Sequence, residues 1–224
     1  MWLRRLMCLM IGIAPVSARA CDIALLLAVD VSGSVDPKEY RIQMDGLAAG
    51  MRDGVVVEAL VQAKAAVALM QWTGEGRQAL VVPWTSVESF EAAEDLALAI
   101  EAAPRSWDRY STAIGDALLR ARNEFDTAPD CRRRVIDVSG DGISNEGAEP
   151  SEVRRIMKAA EITVNALVIE TDETDLTAYF WENVITGSGA FVVTANGFEE
   201  YPKRIREKLI REVAEQISLF TAEY

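Results

Sequence analysis

Asp30, Ser32 and Ser34 stand at alternate positions of Asp30-Val31-Ser32-Gly33-Ser34, which places one carboxylate and two hydroxyls within a single turn. Hard oxygen donors at that spacing suit a hard divalent cation such as Mg²⁺, and Gly33 allows the bend. Two more oxygen donors follow in similar settings. Thr112 lies in Ser111-Thr112-Ala113-Ile114-Gly115-Asp116, and Asp141 lies in Ser139-Gly140-Asp141-Gly142. Histidine is absent from all 224 residues, which removes His-based zinc sites, Ser-His-Asp triads and Cys-His dyads.

These donors need elements that hold them together. The run Ile23 to Val29 is apolar at nearly every position, as expected of a central strand covered on both faces, and it delivers Asp30 at its end. Val135 to Val138 ends the same way, just ahead of Asp141. Strand-like runs near 23–31, 64–73, 78–83, 133–139, 162–170 and 190–194 alternate with amphipathic stretches near 37–52, 87–102, 112–126, 150–160, 174–186 and 198–220. The alternation predicts a doubly wound, Rossmann-like α/β fold: a mostly parallel six-stranded sheet with helices on both faces. Thr73-Gly74-Glu75-Gly76-Arg77 is a short glycine-bearing link, so the strand after it is expected as an antiparallel edge. In such a sheet, ligands gather beyond the carboxyl ends of the strands at the topological switch point. If strands 23–31 and 133–139 are neighbours, three loops converge there on one cation. The last helix carries Phe198, Tyr201, Ile205, Leu209, Val213, Ile217 and Phe220 at steps of three and four, a packing stripe, with Lys203, Arg206, Lys208, Arg211 and Glu215 expected on a solvated face.

Residues 1–20 read as a secretory signal peptide. Arg4 and Arg5 precede the apolar stretch Leu6 to Val16, and Ala18-Arg19-Ala20 is an A-x-A cleavage signature before Cys21. The apolar stretch is shorter than the ~20 residues that a membrane span needs, and no other segment is long and apolar enough. The expected product is one exported domain over 21–224, periplasmic or secreted. The formal net charge is −12, and loss of the leader's three arginines brings it to about −15. That balance disfavours nucleic acid and anionic lipid as partners, and Arg132-Arg133-Arg134 reads as the polar start of a strand. Cys21 and Cys131 remain, an even number in a chain bound for an oxidising compartment. Cys21 lies nine residues before Asp30 and Cys131 ten before Asp141. If the two strands are parallel and in register, the thiols face each other at the far end of the sheet from the metal and form a disulfide.

Asp30-x-Ser32-x-Ser34, a threonine opening a helix and a strand-terminal Asp141-Gly142 together resemble the metal-ion-dependent adhesion site of von Willebrand factor type A domains. The resemblance extends over the whole mature chain and is greatest to small secreted bacterial members of unknown function. It implies that Asp30, Ser32, Ser34, Thr112 and Asp141 hold Mg²⁺ or Mn²⁺. It also implies an open coordination position filled by a carboxylate from a protein partner, without catalysis. Where this family usually has glycine before its threonine, this chain has Ser111, so Ser111 stands as an alternative ligand, as do Ser139 and Ser144.

Taken singly, each motif has a plainer use. Ser32 and Ser34 could cap the helix that Asp36-Pro37 announces, Thr112 could be an N-cap, and Asp141-Gly142 a turn. Trp107, Tyr110, Glu75 and Asn145 are candidates for a partner-facing surface, with Trp107 alternatively folded back on the core. The competing function is a metal-dependent phosphatase or phosphotransferase with Asp30 as nucleophile. That chemistry normally needs a second acid two residues on, where this chain has Ser32, and Lys38 is the only lysine near the first loop in sequence. No G-x-G-x-x-G opens the first helix, which disfavours a dinucleotide enzyme. Nothing in the residues sets an oligomeric state.

Overall fold

The computed structural model describes residues 21–171 and 175–220, with backbone alone from 214 onward. The leader 1–20, Thr174 and the side chains of Ile217 and Phe220 lie outside the described part. Six strands form one sheet: β1 (Cys21–Asp30), β2 (Ala66–Trp72), β3 (Gln78–Ser86), β4 (Cys131–Gly140), β5 (Ile162–Glu170) and β6 (Val192–Asn196). Their order is β3-β2-β1-β4-β5-β6, and only β3 runs antiparallel. Among the described residues seven α-helices accompany them: α1 (Pro37–Met51), α2 (Gly54–Gln62), α3 (Phe90–Ala102), α4 (Ile114–Glu124), α5 (Pro150–Ala159), α6 (Leu176–Asn183) and α7 (Tyr201–Phe220). Among the described residues no helix is long and apolar enough to cross a membrane.

β1 is buried along nearly its whole length because both of its faces are covered. Leu25, Leu27 and Val29 enter the core under α1, α2, α3 and α7, while Ala24, Leu26 and Ala28 enter the one under α4, α5 and α6. The chain moves outward to β2 from one side of β1 and reaches β4 on the other, so the switch point falls between β1 and β4. Their register pairs Cys21 with Cys131 and Val29 with Ser139. At the lower end the two cysteines are bridged, with Cα atoms 4.6 Å apart and a sequence separation of 110. A loop of that length is worth about 5 kcal/mol on the chain-entropy model. At the upper end the same register brings Asp30 and Asp141 side by side.

Three features differ from the sequence expectation. α2 occupies a segment left unassigned, because Val55-Val56-Val57 is a β-branched run of weak helix propensity. It forms because Asp53 accepts from the Val55 and Val56 amides, while Val56, Val57, Ala59 and Leu60 are buried. Helices predicted from 87, 112 and 174 begin later, at Phe90, Ile114 and Leu176, and the one predicted from 198 opens with a 3₁₀ turn at Phe198–Glu200 that leads into α7. Lys208, expected on the solvated face of the last helix, is fully buried. Its ammonium lies 2.7 Å from both Asp137 on β4 and Glu212 on α7, and Asn165 on β5 donates to both Glu212 oxygens. Burial would lower the Lys208 pKa, but the two carboxylates outweigh that and hold it above the ordinary lysine value.

Candidate functional site

The first loop leaves β1 at Asp30, which has no exposed surface. The Ser32 amide donates to Asp30 Oδ1 at 2.7 Å, folding the turn back on the carboxylate. Asp30 Oδ2 is buried with no hydrogen-bond partner. It fits there because the neighbouring position is Gly140: a Cβ at that point would lie 3.3 Å from Oδ2 and 3.5 Å from both Phe180 and Trp72 ring carbons. Ser32 Oγ and Ser34 Oγ are 3.1 Å apart, and Ser34 Oγ donates to Asp141 Oδ1 at 2.8 Å. Asp30, Ser32, Ser34 and Asp141 therefore form one connected group of oxygens, although 107 residues separate Ser34 from Asp141.

Thr112 comes to the same place by another route. Thr73 Oγ1 donates to Ser111 O, the Ala113 amide donates to Thr73 O, and the Gly33 amide donates to Tyr110 O. The 105–113 segment is thereby stitched to both the first loop and the end of β2. Thr112 is buried, and a Cβ on Gly142 would lie 3.8 Å from its hydroxyl oxygen, so the hydroxyl sits over the start of the Asp141 loop. Ser111 is exposed.

The capping uses open to these hydroxyls are filled by other residues. Asp36 caps α1, forming a reciprocal capping box with Glu39. Ser144 Oγ accepts from the Ile114 amide at the start of α4. Thr112 Oγ1 makes no hydrogen bond among the described residues. The serines and the threonine are thus free of the structural work that residues of their type most often do.

The structure also separates the alternatives. Ser144 is spent on α4 and on Thr112 O. Ser139 is buried on the opposite side of β4, beside Tyr201 of α7. Asn145 is exposed and also braces the site: its Oδ1 accepts from the Thr112 amide while its backbone N–H donates to Thr112 O, both at 2.9 Å. Trp107 is partly buried against the core under α1, which is its alternative placement. Tyr110 is exposed, with the Arg77 guanidinium 4.0 Å over its ring, and Glu75 is exposed on the same rim. Arg105 carried no sequence signal. Its Nη2 donates to both Val31 O and Ser32 O, clamping the first loop from beneath.

Electrostatically the site is strained in one direction. Burial, then the charge of Asp141, pushes the Asp30 pKa up to about 8, despite hydrogen bonds from Ser32 and the Asp141 backbone. Two carboxylates and three hydroxyls with one orphaned carboxylate oxygen match the donor set of a hard divalent cation. Among the described residues no three His, Cys, Asp or Glu side chains are placed to hold a metal ion together, so hydroxyls must complete any such set here.

Comparison with known proteins agrees with this architecture. Among solved structures, proximal thread matrix protein 1 from the mussel byssus, in a form with a zinc-occupied MIDAS motif, superposes with a TM-score of 0.65 at 21% identity, over 86% of this chain and 48% of that one. A von Willebrand factor type A protein from Catenulispora acidiphila gives 0.59 at 18% identity, over 85% and 42% of the two chains. The conserved hypothetical protein BatB from Bacteroides thetaiotaomicron gives 0.57 at 19% identity, over 86% and 99%. This chain spans less than half the length of the mussel protein. No curated protein matches the sequence. A family model described as protein of unknown function (DUF1194) matches residues 20–217. The chain has the von Willebrand factor type A fold and belongs to the DUF1194 family of proteins of unknown function.

Proposed function

We propose that this chain is an exported, non-catalytic interaction domain over 21–224. Asp30, Ser32, Ser34, Thr112 and Asp141 would hold Mg²⁺ or Mn²⁺, and the domain would recognise an acidic group on a protein partner. The observation that carries this is the buried, unpartnered Asp30 Oδ2 beside the linked Ser32, Ser34 and Asp141 oxygens. A buried carboxylate oxygen without a donor costs free energy that a cation recovers. When bound, the ion supplies a positive charge at the upper rim and a coordination position for a partner's carboxylate. The chain's own residues do the rest: Asn145 and Thr73 fix the Thr112 segment, Arg105 fixes the first loop, and Tyr110 and Glu75 flank the opening. The zinc-occupied MIDAS motif of the mussel protein supports this assignment. The Cys21–Cys131 bridge and the leader at 1–20 support export, since disulfides persist in oxidising compartments.

The hydrolase alternative gains no support from the site, where Ser32 occupies the position that chemistry would give to an acid. The test is calorimetric titration of Mg²⁺, then Mn²⁺, into the chain from Cys21 to Tyr224, with and without excess acetate to stand in for a partner's carboxylate. One saturable site, lost in Asp141→Ala that keeps its circular dichroism spectrum, supports the ligand set. No binding under either condition, or binding by Asp141→Ala equal to the parent, refutes it.

A further inference from the structure

We propose that the lower end of the sheet, opposite the candidate metal site, carries a groove that binds an acidic peptide segment. A cavity of about 1070 Å³ opens there between the starts of β4 and β5, the end of α5 and the α6–β6 connection. Five cationic side chains line it against a single carboxylate, Glu161. Four of the cations come from two elements at matching spacings. Arg132 and Arg134 are two apart on β4, and Arg154 and Lys158 are four apart on α5, so each pair projects from one face of its element. In a chain whose formal charge is −12, this concentration of positive charge runs against the overall balance.

Arg132 pairs with Asp22 at 3.7 Å and Arg133 donates to Glu212 O, so the charges left to a ligand are those of Arg134, Arg154 and Lys158. Arg134 donates to Ala160 O and Arg154 to Glu182 O, both neutral carbonyls. Among the described residues, neither of these arginines nor Lys158 meets a carboxylate. The carbonyl bonds orient the guanidinium planes while leaving other N–H groups to donate. A concave wall of one sign focuses its field outward, and an anion relieves the mutual repulsion. Planar guanidinium forks match planar carboxylates in two-point contact.

Three further features select a peptide among anions. The volume exceeds what a lone phosphate fills. Trp181, 58% exposed, stands on the rim and offers an apolar flat face to side chains between the acids. Gly187-Ser188-Gly189 forms an exposed rim; a Cβ on Gly187, at φ 105°, would lie 2.7 Å from Thr163 Oγ1, so glycine lets this turn pack closely on β5 while its outer side faces solvent. A long polyanion or an anionic membrane would meet the chain's net negative field beyond the groove. A short segment seated within a Debye length of about 8 Å would feel mainly the local cations.

The probe is a fluorescein-labelled oligoglutamate peptide, followed by anisotropy with excess EDTA so that no metal-bridged carboxylate contributes. The parent chain should bind it with an affinity that falls as salt rises. Lys158→Glu should weaken binding several-fold, and Arg154→Glu/Lys158→Glu by about tenfold or more, equivalent to about 1.4 kcal/mol. Lys158 makes no hydrogen bond or ion pair among the described residues, so its single variant guards against a double variant that fails to fold. Trp181 emission should shift on titration, and Trp181→Phe should lose that shift. Inorganic phosphate and phosphatidylglycerol vesicles are the competing arms. Peptide binding by Lys158→Glu equal to the parent overturns the proposal. So does an absence of peptide binding, or displacement by phosphate or vesicles at equal charge concentration.

Discussion

Replacing Asp30 by asparagine should make the metal-free protein more stable while removing its response to metal. Asp30 is fully buried, and its pKa stands at about 8 in the fold against an ordinary value of 3.8. An acid raised in this way binds more protons in the folded than in the unfolded chain between those two values. Metal-free stability therefore falls as pH rises from about 4 to about 8 and levels off above. At 1.36 kcal/mol per pH unit, the cost by pH 7 is about 4 kcal/mol. Asparagine keeps the acceptor for the Ser32 amide, now 2.7 Å from Asp30 Oδ1, and cannot ionise. It places an amide donor where Oδ2 was unpartnered, at a cost of about 1–3 kcal/mol. The net gain is about 1–3 kcal/mol, or roughly 2–10 °C in Tm for a domain of this size. The assay is thermal unfolding in EDTA from pH 5 to 9. Asp30→Asn should unfold at a higher temperature than the parent at pH 8, and the gap should close towards pH 5. With Mg²⁺ at a hundred times Kd the parent should gain about 2.7 kcal/mol and the variant nothing. A variant less stable than the metal-free parent at pH 8, or one with an unchanged Mg²⁺ response, would refute the view that a buried carboxylate is held in reserve for a cation.

Two further outcomes are expected. Unreduced protein should show no free thiol from Cys21 or Cys131, and reduction should destabilise the fold by about 5 kcal/mol; titratable thiols in the oxidised, unfolded chain would contradict the bridge. Lys208→Met should cost about 3–5 kcal/mol because Asp137 and Glu212 are left buried without a cation. Adding Asp137→Asn and Glu212→Gln should recover most of that in denaturant melts. In the parent, the Lys208 contribution should persist to pH 10.5 and be lost above it, because its folded pKa is raised.

A partner that docks by a carboxylate at the upper rim and an acidic segment that docks at the lower groove would use opposite ends of the sheet. The two sites share β4, which begins at Cys131 beside the groove arginines and ends at Gly140 beside Asp141. The disulfide ties the lower ends of β1 and β4, the two strands whose upper ends present Asp30 and Asp141. It therefore pins the register on which the candidate metal site depends.

Much of this was already legible in the chain. The unbroken apolar run before Asp30 marks a central strand, because only a strand covered on both faces can hide every side chain. Offsets of nine residues from Cys21 to Asp30 and ten from Cys131 to Asp141 carry the β1–β4 register to within one residue, because parallel strands rise by the same distance per residue, and Asp141 lies just past the strand end. The oxygen donors of Asp30, Ser32 and Ser34 are likewise a local pattern.

Tertiary contacts alone decided the rest. α2 forms against the propensity of its valines because burial outweighs a few tenths of a kcal/mol per residue. Lys208 stands seven residues after Tyr201 and three after Ile205, on the buried stripe of α7, but a lysine there reads as solvated because its partner Asp137 comes from a strand 71 residues earlier and no short window along the chain contains both. Asn145 and Arg105 each act through two hydrogen bonds to backbone atoms of distant loops, and such bonds leave no mark on composition or spacing. The three consecutive arginines read as the polar start of a strand, which they are. Only the packing of α5 on β5, the neighbour of β4, brings Arg154 and Lys158 to the same cavity and turns them into a groove. A sequence determines which groups its strands and turns present, and the fold determines which of those groups meet. That is because charge and hydrogen bonding act across space, without regard to order along the chain.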